Sequence, residues 1–230
     1  MTTRSAQPPS ASPLRVSLLF LLYGTVHSFL ASSAAKRGFA GLAGERARNG
    51  LYRPLYIGQA VLTTLAAVTA FLRLPDRELY RVRKPWAWAF NLVQVAGAGL
   101  LWHALSVTGF AQIIGWPQLR AYLRGEQPAP EYEAQGPPPQ ALAHPERLGP
   151  FGWVSHPDNL PIILVVWAFP RMTVNRLTLA LWASVYAVVG SWHEDARLAR
   201  AYGNAFVQYR RAIPMLVPHF NGRRTRKSAD

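Results

Sequence analysis

Residues 153–218 read WVSHPDNLP (153–161), IILVVWAF (162–169), PRMT (170–173), VNRLTLALWASVYAVVGSW (174–192) and HEDARLARAYGNAFVQYRRAIPMLVP (193–218). Two apolar arms are separated by a short polar break. Each arm carries polar residues at its far end: Ser155, His156, Asp158 and Asn159 before the first, His193, Glu194 and Asp195 after the second. Folded as a helical hairpin, the arms return both clusters to the same side of a membrane, which makes that side the place to look for chemistry. The first arm is short. Leu160 to Phe169 is ten residues, about 15 Å of helix or half a bilayer. Either the arm starts nearer Val154, or the hairpin is partly re-entrant and protein shelters the turn at Pro170–Arg171.

Working outward, three more apolar stretches precede this hairpin. The first runs from about Leu14 to Ala31, LRVSLLFLLYGTVHSFLA, roughly 27 Å of helix; it lacks a small-residue cleavage site and reads as a retained span. The second runs from about Pro54 to Leu72, with Pro54 tolerated in its first turn. The third runs from about Pro85 to Val107 and enters through WAWAF, suited to the interfacial aromatic belt. A basic loop (Lys36, Arg37, Arg46, Arg48, Arg53) joins the first two, and a charged loop, RLPDRELYRVRK, joins the next two. Residues 1–13 read as a disordered lead-in and 219–230 as a basic tail, leaving 14–218 as one membrane domain. Between residues 108 and 152, FAQIIGWPQLRAYLRG reads as a short interfacial helix and the Pro- and Glu-rich segment after it as a loop. After Trp192, Leu198, Tyr202, Phe206 and Tyr209 keep helical spacing. That stripe reads as an amphipathic helix on the membrane surface, with Arg197, Arg200 and Arg210 toward headgroups.

The fold expected is therefore all-α: a polytopic membrane bundle of about five transmembrane helices, with a C-terminal hairpin and an interfacial amphipathic helix. Composition agrees. Of 230 residues half are apolar and 16% charged, with eight Trp and no Cys, so there is no disulfide framework and no thiolate metal site. The net charge of +14 is spread in short clusters between apolar runs, as membrane proteins distribute it, rather than as a nucleic-acid binder does. The expected partners are lipid and a small or lipophilic substrate. With five spans, one side of the membrane carries sixteen Lys and Arg against nine on the other. The positive-inside rule then puts the N-terminus outside and the C-terminus in the cytoplasm.

Taken alone, His156-Pro157 ahead of Asp158 and Asn159 reads as a capped helix start. Glu194 and Asp195 alone read as membrane-exit charges. Brought together by the hairpin, an imidazole and two carboxylates can bind a cationic cofactor or move a proton. His27 and His103 lie within spans, where an ionisable group is costly and a role is the default reading. A neutral histidine bonded to a neighbouring helix satisfies the same physics. No GxGxxG, Walker-type loop, GxSxG or HExxH is present, so soluble nucleotide-binding and hydrolase templates find no support.

The order His-Pro, apolar hairpin, ED-x-x-L, Tyr-Gly, spaced aromatics and P-M-L-V-P resembles the isoprenylcysteine carboxyl methyltransferase superfamily. HSFLAS with Lys36 and then LYRPLY resembles its NnrU-like branch, which includes membrane methanethiol methyltransferases and ζ-carotene isomerases. The resemblance implies S-adenosylmethionine as cofactor, held by His156, Pro157, Glu194, Asp195, Tyr202, Gly203, Phe206 and Tyr209. The substrate pocket would lie between the hairpin and the first and third spans, near His27 and His103. Carboxylates and aromatic faces suit a sulfonium cation, and in-line methyl transfer requires no metal. The alternatives are a haem b protein of NnrU or carotene-isomerase type, using His27, His103 or His193 as axial ligands, and a non-catalytic relative. The chain departs from the family pattern at Ser155, where Arg is usual, and at Asp195, one methylene shorter than the usual Glu.

Overall fold

A computed structural model describes residues 11–130 and 136–218. The lead-in through residue 10, residues 131–135 of the Pro-rich loop, and the basic tail from 219 lie outside the described residues. Helix α1 (Ala11–Ala31) starts three residues ahead of the expected Leu14, because Ser12 has partners: its hydroxyl lies 2.6 Å from Asn175 Oδ1 and also donates to the carbonyl of Pro75.

Helix α2 (Ser33–Leu72) corrects the expected basic loop. The chain is helical from Ser33, whose N-cap Ser32 accepts from the Ala35 amide, and the helix is interrupted at Gly44 (φ 84°). The basic residues there serve protein rather than a solvated loop. Arg53 Nε donates to the Ile113 carbonyl at 2.7 Å, and Arg46 donates to the carbonyls of Tyr122 and Glu126. These carbonyls belong to the next expected element, which is also corrected. The expected single interfacial helix is two short ones, Phe110–Ile114 and Trp116–Leu123, and both pack on α2.

Strand β1 (Glu78–Arg81) precedes α3 (Trp86–Thr108), which is followed by the two short helices α4 (Phe110–Ile114) and α5 (Trp116–Leu123). Three 3₁₀ turns occupy Ala141–Ala143, Pro145–Arg147 and Gly149–Gly152. Helix α6 (Asn159–Trp167), strand β2 (Arg171–Thr173), helix α7 (Val174–Tyr202) and helix α8 (Asn204–Ala212) complete the order. The long helices pack as α2–α1–α7–α6–α3. Gly97 sets the closeness of α3 to α6: a Cβ there would sit 2.9 Å from Val165 Cγ2.

Among the described residues, α1, α2 and α3 are long and apolar enough to cross a membrane. Their outward faces are apolar: Leu22, Leu62 and Val95 are 67%, 70% and 69% exposed. That inverts the pattern of a water-soluble protein and fits contact with lipid. The chain is an all-α membrane bundle with one small ribbon.

The ribbon accounts for the short arm. Helix α6 has nine residues, about 13 Å, and the chain then runs extended. β2 pairs antiparallel with β1, Arg81 opposite Arg171 and Tyr80 opposite Met172. The three extended residues of β2 add about 10 Å, so the hairpin reaches the bundle end in two conformations rather than as one helix. Glu78 holds the ribbon by accepting from Arg171 Nε at 2.7 Å and from Arg81 Nη2 at 2.8 Å. The start of α1, the 73–84 loop and the hairpin turn thus share one end of the bundle. Asn175, 1% exposed, ties them: its side chain meets Ser12 and donates to the Pro75 carbonyl. Replacing Asn175 with Ala strands two buried polar groups and should cost about 1–3 kcal/mol. A melting temperature in detergent equal to that of the unaltered protein would show that these bonds contribute nothing.

Candidate functional site

Helix α7 does not end where its apolar run ends. It continues through His193, Glu194 and Asp195 to Tyr202, because Ala and Leu interleave with the charges and sustain the helix. The chain breaks at Gly203 (φ 57°), and α8 folds back. The aromatic stripe survives the break, but it faces protein. Leu198, Phe206 and Tyr209 form a buried cluster with Leu142 and Ile213, and Tyr202 packs at its edge. The expected amphipathic helix is present as α8, and its apolar side covers the 3₁₀ turns. Tyr209 donates to the Phe151 carbonyl at 2.6 Å, and burial pushes its hydroxyl pKa up.

The segment before α6 is clamped from the C-terminal side. The amides of Ser155 and His156 donate to the carbonyls of Pro214 and Met215, at 2.8 and 3.2 Å. Two sequence signals 59 residues apart, S-H-P and P-M-L-V-P, are thus one structural unit. Pro157 and Pro161 are fully buried and fix the chain on either side of Asp158.

His156, 2% exposed, sits between the acids. Its Nε2 lies 2.7 Å from Asp195 Oδ1 and its Nδ1 3.5 Å from Glu194 Oε2. Burial opposes charge on the ring. The hydrogen bonds to Asp195 and Glu194 and the charges of Glu194 and Asp158 outweigh it and push the pKa up to about 9. His156 is accordingly an imidazolium near neutral pH. Burial also works against ionised Asp195, but His156 and Arg210 hold its carboxyl below the usual range. Arg210 Nε donates to Asp195 Oδ2 at 2.8 Å and its guanidinium also donates to the Ile213 carbonyl. Arg210, expected at headgroups, is part of the site. Ser155 carries no guanidinium, while α8 brings one to Asp195.

Asp158 differs from the other acids. Burial and the charge of Glu194 raise its pKa, and His156 offsets them only in part. It occupies the N-cap position of α6, as expected, though its side chain makes no capping bond. Next to it, Asn159 Nδ2 donates to Ser191 Oγ at 3.0 Å, and Ser191 donates to the Ala187 carbonyl, pinning α6 to α7.

Two cavities meet here. The first, about 40 Å³, is lined by Ser155, His156, Asp158, Glu194, Tyr202 and Phe206 among others. The Ser155 hydroxyl on its wall is buried and has no hydrogen-bond partner among the described residues, as a group awaiting a ligand would be. The second cavity, about 820 Å³, lies between α1, α2 and α7, with His27, Tyr56, Tyr186, His193 and Arg197 on its walls. Asp158 and Glu194 line both. Sequence reasoning left Asp158 among the helix caps; only the packing shows that it faces two spaces at once.

The remaining sequence candidates separate. His27 lies in the second cavity, its Nε2 2.9 Å from the Tyr56 hydroxyl, with Tyr23 stacked on its ring. His193 lines the same cavity. His103 lines neither: it is exposed on α3, beside Gly149. Gly203 forms the α7–α8 break and lines neither cavity. Among the described residues no three His, Asp or Glu side chains group as a metal site.

No family model and no solved structure matches the chain. Among characterised proteins, it is 26% identical over 87% of its length to methanethiol S-methyltransferase 1 of Bradyrhizobium diazoefficiens, covering 65% of that protein. It is 39% identical over 31% of its length to methanethiol S-methyltransferase 2 of the same organism, covering 27% of it. Nurim of Bos taurus is 27% identical over 80% of the chain and is covered over 67% of its own length. The chain spans less than two thirds of either of these methyltransferases. The matches agree with the resemblance to the isoprenylcysteine carboxyl methyltransferase superfamily carried by the residues.

Proposed function

We propose that this relative of the methanethiol S-methyltransferases and nurim is a membrane-embedded methyltransferase that uses S-adenosylmethionine on a small or lipophilic nucleophile, a thiol or a carboxylate. The observation that carries the reading is the acidic wall shared by the two cavities. The residues of the first cavity fit the cofactor. Glu194 and Asp158 offset a cation, Tyr202 and Phe206 offer aromatic faces, and the orphaned Ser155 hydroxyl offers a hydrogen bond to polar groups. When bound, the cofactor supplies an electrophilic methyl group. The protein's own contribution is positional and electrostatic. His156, fixed by Asp195 and the C-terminal clamp, holds Glu194 in place. The mixed aromatic and polar walls of the second cavity orient the nucleophile toward the shared wall. Because the second cavity lies within the helices, a lipophilic substrate can reach it from the bilayer. With positive-inside orientation, the first cavity opens to the cytoplasm, where the cofactor is available.

Calorimetry of S-adenosylmethionine on detergent-purified protein tests the reading. Glu194→Ala removes one acid of the shared wall and should weaken binding about tenfold or more, equivalent to about 1.4 kcal/mol. Well-folded protein that binds no cofactor would count against methyl transfer. A Soret band in the purified protein would instead favour haem in the second cavity, where His27 and His193 lie.

A further inference from the structure

Methylating a neutral nucleophile leaves a proton to be removed, and the shared wall carries two acids that differ in their surroundings. Glu194 faces the His156 imidazolium at 3.5 Å. Asp158 sits at the start of α6, between buried Pro157 and Pro161, and opens into both cavities. We propose that Asp158, on the wall common to the two cavities, is the base that takes the proton from the nucleophile. The inference rests on the methyl-transfer reading and names the residue that completes it.

The step balances. The sulfur of a thiol forms a bond to the methyl carbon, the donor's carbon–sulfur bond breaks with its electron pair left on the donor sulfur, and the thiol proton passes to the Asp158 carboxylate. A sulfonium and a carboxylate become a neutral thioether and a neutral acid. The surroundings of Asp158 favour that direction. With a cation in the first cavity the carboxylate is stabilised. Once the cation is consumed, burial and Glu194 favour the protonated acid. Other groups share the second cavity. From α7 come His193 and Arg197, from α2 Lys36, Arg53 and Tyr56, and from α1 His27. Among charged groups it is His156 that favours the ionised form of Asp158. In the first cavity it shares space with His156 and the hydroxyls of Tyr202 and Tyr209.

Two measurements on the full chain test this. Calorimetry over a series of pH values from about 4 to 8, in two buffers of different ionisation enthalpy at each, should show a proton released over part of that range when S-adenosylmethionine binds. None should be released with S-adenosylhomocysteine, which has the same amino-acid end but no sulfonium. Asp158→Asn should abolish the release. Turnover should split in the same variant: with ethanethiol it should fall about 10²–10⁴-fold, and with iodide, which carries no proton, at least about tenfold less. Equal falls for the two nucleophiles, or proton release that survives in Asp158→Asn, would overturn the assignment. If Asp158→Asn does not fold, pH profiles of the unaltered protein decide. An acid limb with ethanethiol but not with iodide supports Asp158, and the same limb with both overturns it. A protein that binds neither compound removes the methyl-transfer reading itself, whereas normal binding and turnover with the wrong variant pattern remove only the role of Asp158.

Discussion

His156→Ala should lower the melting temperature of the detergent-solubilised protein by about 10 °C, the equivalent of about 3–5 kcal/mol for breaking a buried ion pair. The side chain is 2% exposed and meets both acids of α7, so its removal leaves Glu194 and Asp195 facing a void. The loss should depend on pH. His156 has its pKa raised from 6.5 to about 9, so its contribution is complete below pH 6.5 and disappears as pH rises through 9. Asp195, held below its ordinary value, contributes above that value and loses its contribution on acidification. The difference between unaltered and variant protein should therefore be largest from mildly acidic to neutral pH and shrink toward pH 10. A difference that stays constant from pH 6 to 10 would show that His156 acts by packing alone.

Gly152→Ala should be the most damaging single methyl group in the described structure. A Cβ at this position would sit 2.5 Å from the carbonyl oxygen of Pro145 and 3.3 Å from its carbon. Backbone cannot move aside as a flexible side chain can, so a cost of about 1–3 kcal/mol is expected. The effect should extend to the site, because the neighbouring Phe151 carbonyl accepts from Tyr209 and Phe151 lines the first cavity. Cofactor affinity should fall about tenfold while the helical content stays unchanged. Gly58→Ala is the control: nothing lies within 4 Å of its Cβ inside α2, and Ala there should be neutral or stabilising by up to about 1 kcal/mol. Equal affinity in the two variants would show that the 3₁₀ turns do not shape the cavity.

The sequence alone determined the helical spans, since a run such as 14–31 or 85–107 must satisfy its backbone internally wherever water is absent. It also determined that His156 and the Glu194–Asp195 pair belong together, because a hairpin of apolar arms returns its ends to one place. What it left open were matters of long-range packing. The Lys36–Arg53 stretch was legible as basic but not as helical, because its partners are carbonyls of α4 and α5, some 60 to 80 residues away. The stripe from Leu198 to Tyr209 was legible as amphipathic, but hydrophobic periodicity cannot tell a face that meets lipid from one that meets protein. The ribbon that completes the short arm joins segments 90 residues apart, and neither reads as a strand by itself. Asp158 had an ordinary local explanation as a helix cap. Tertiary structure alone decided that it lines two cavities, because a cavity wall is made by neighbouring elements and has no signature in the local order of residues.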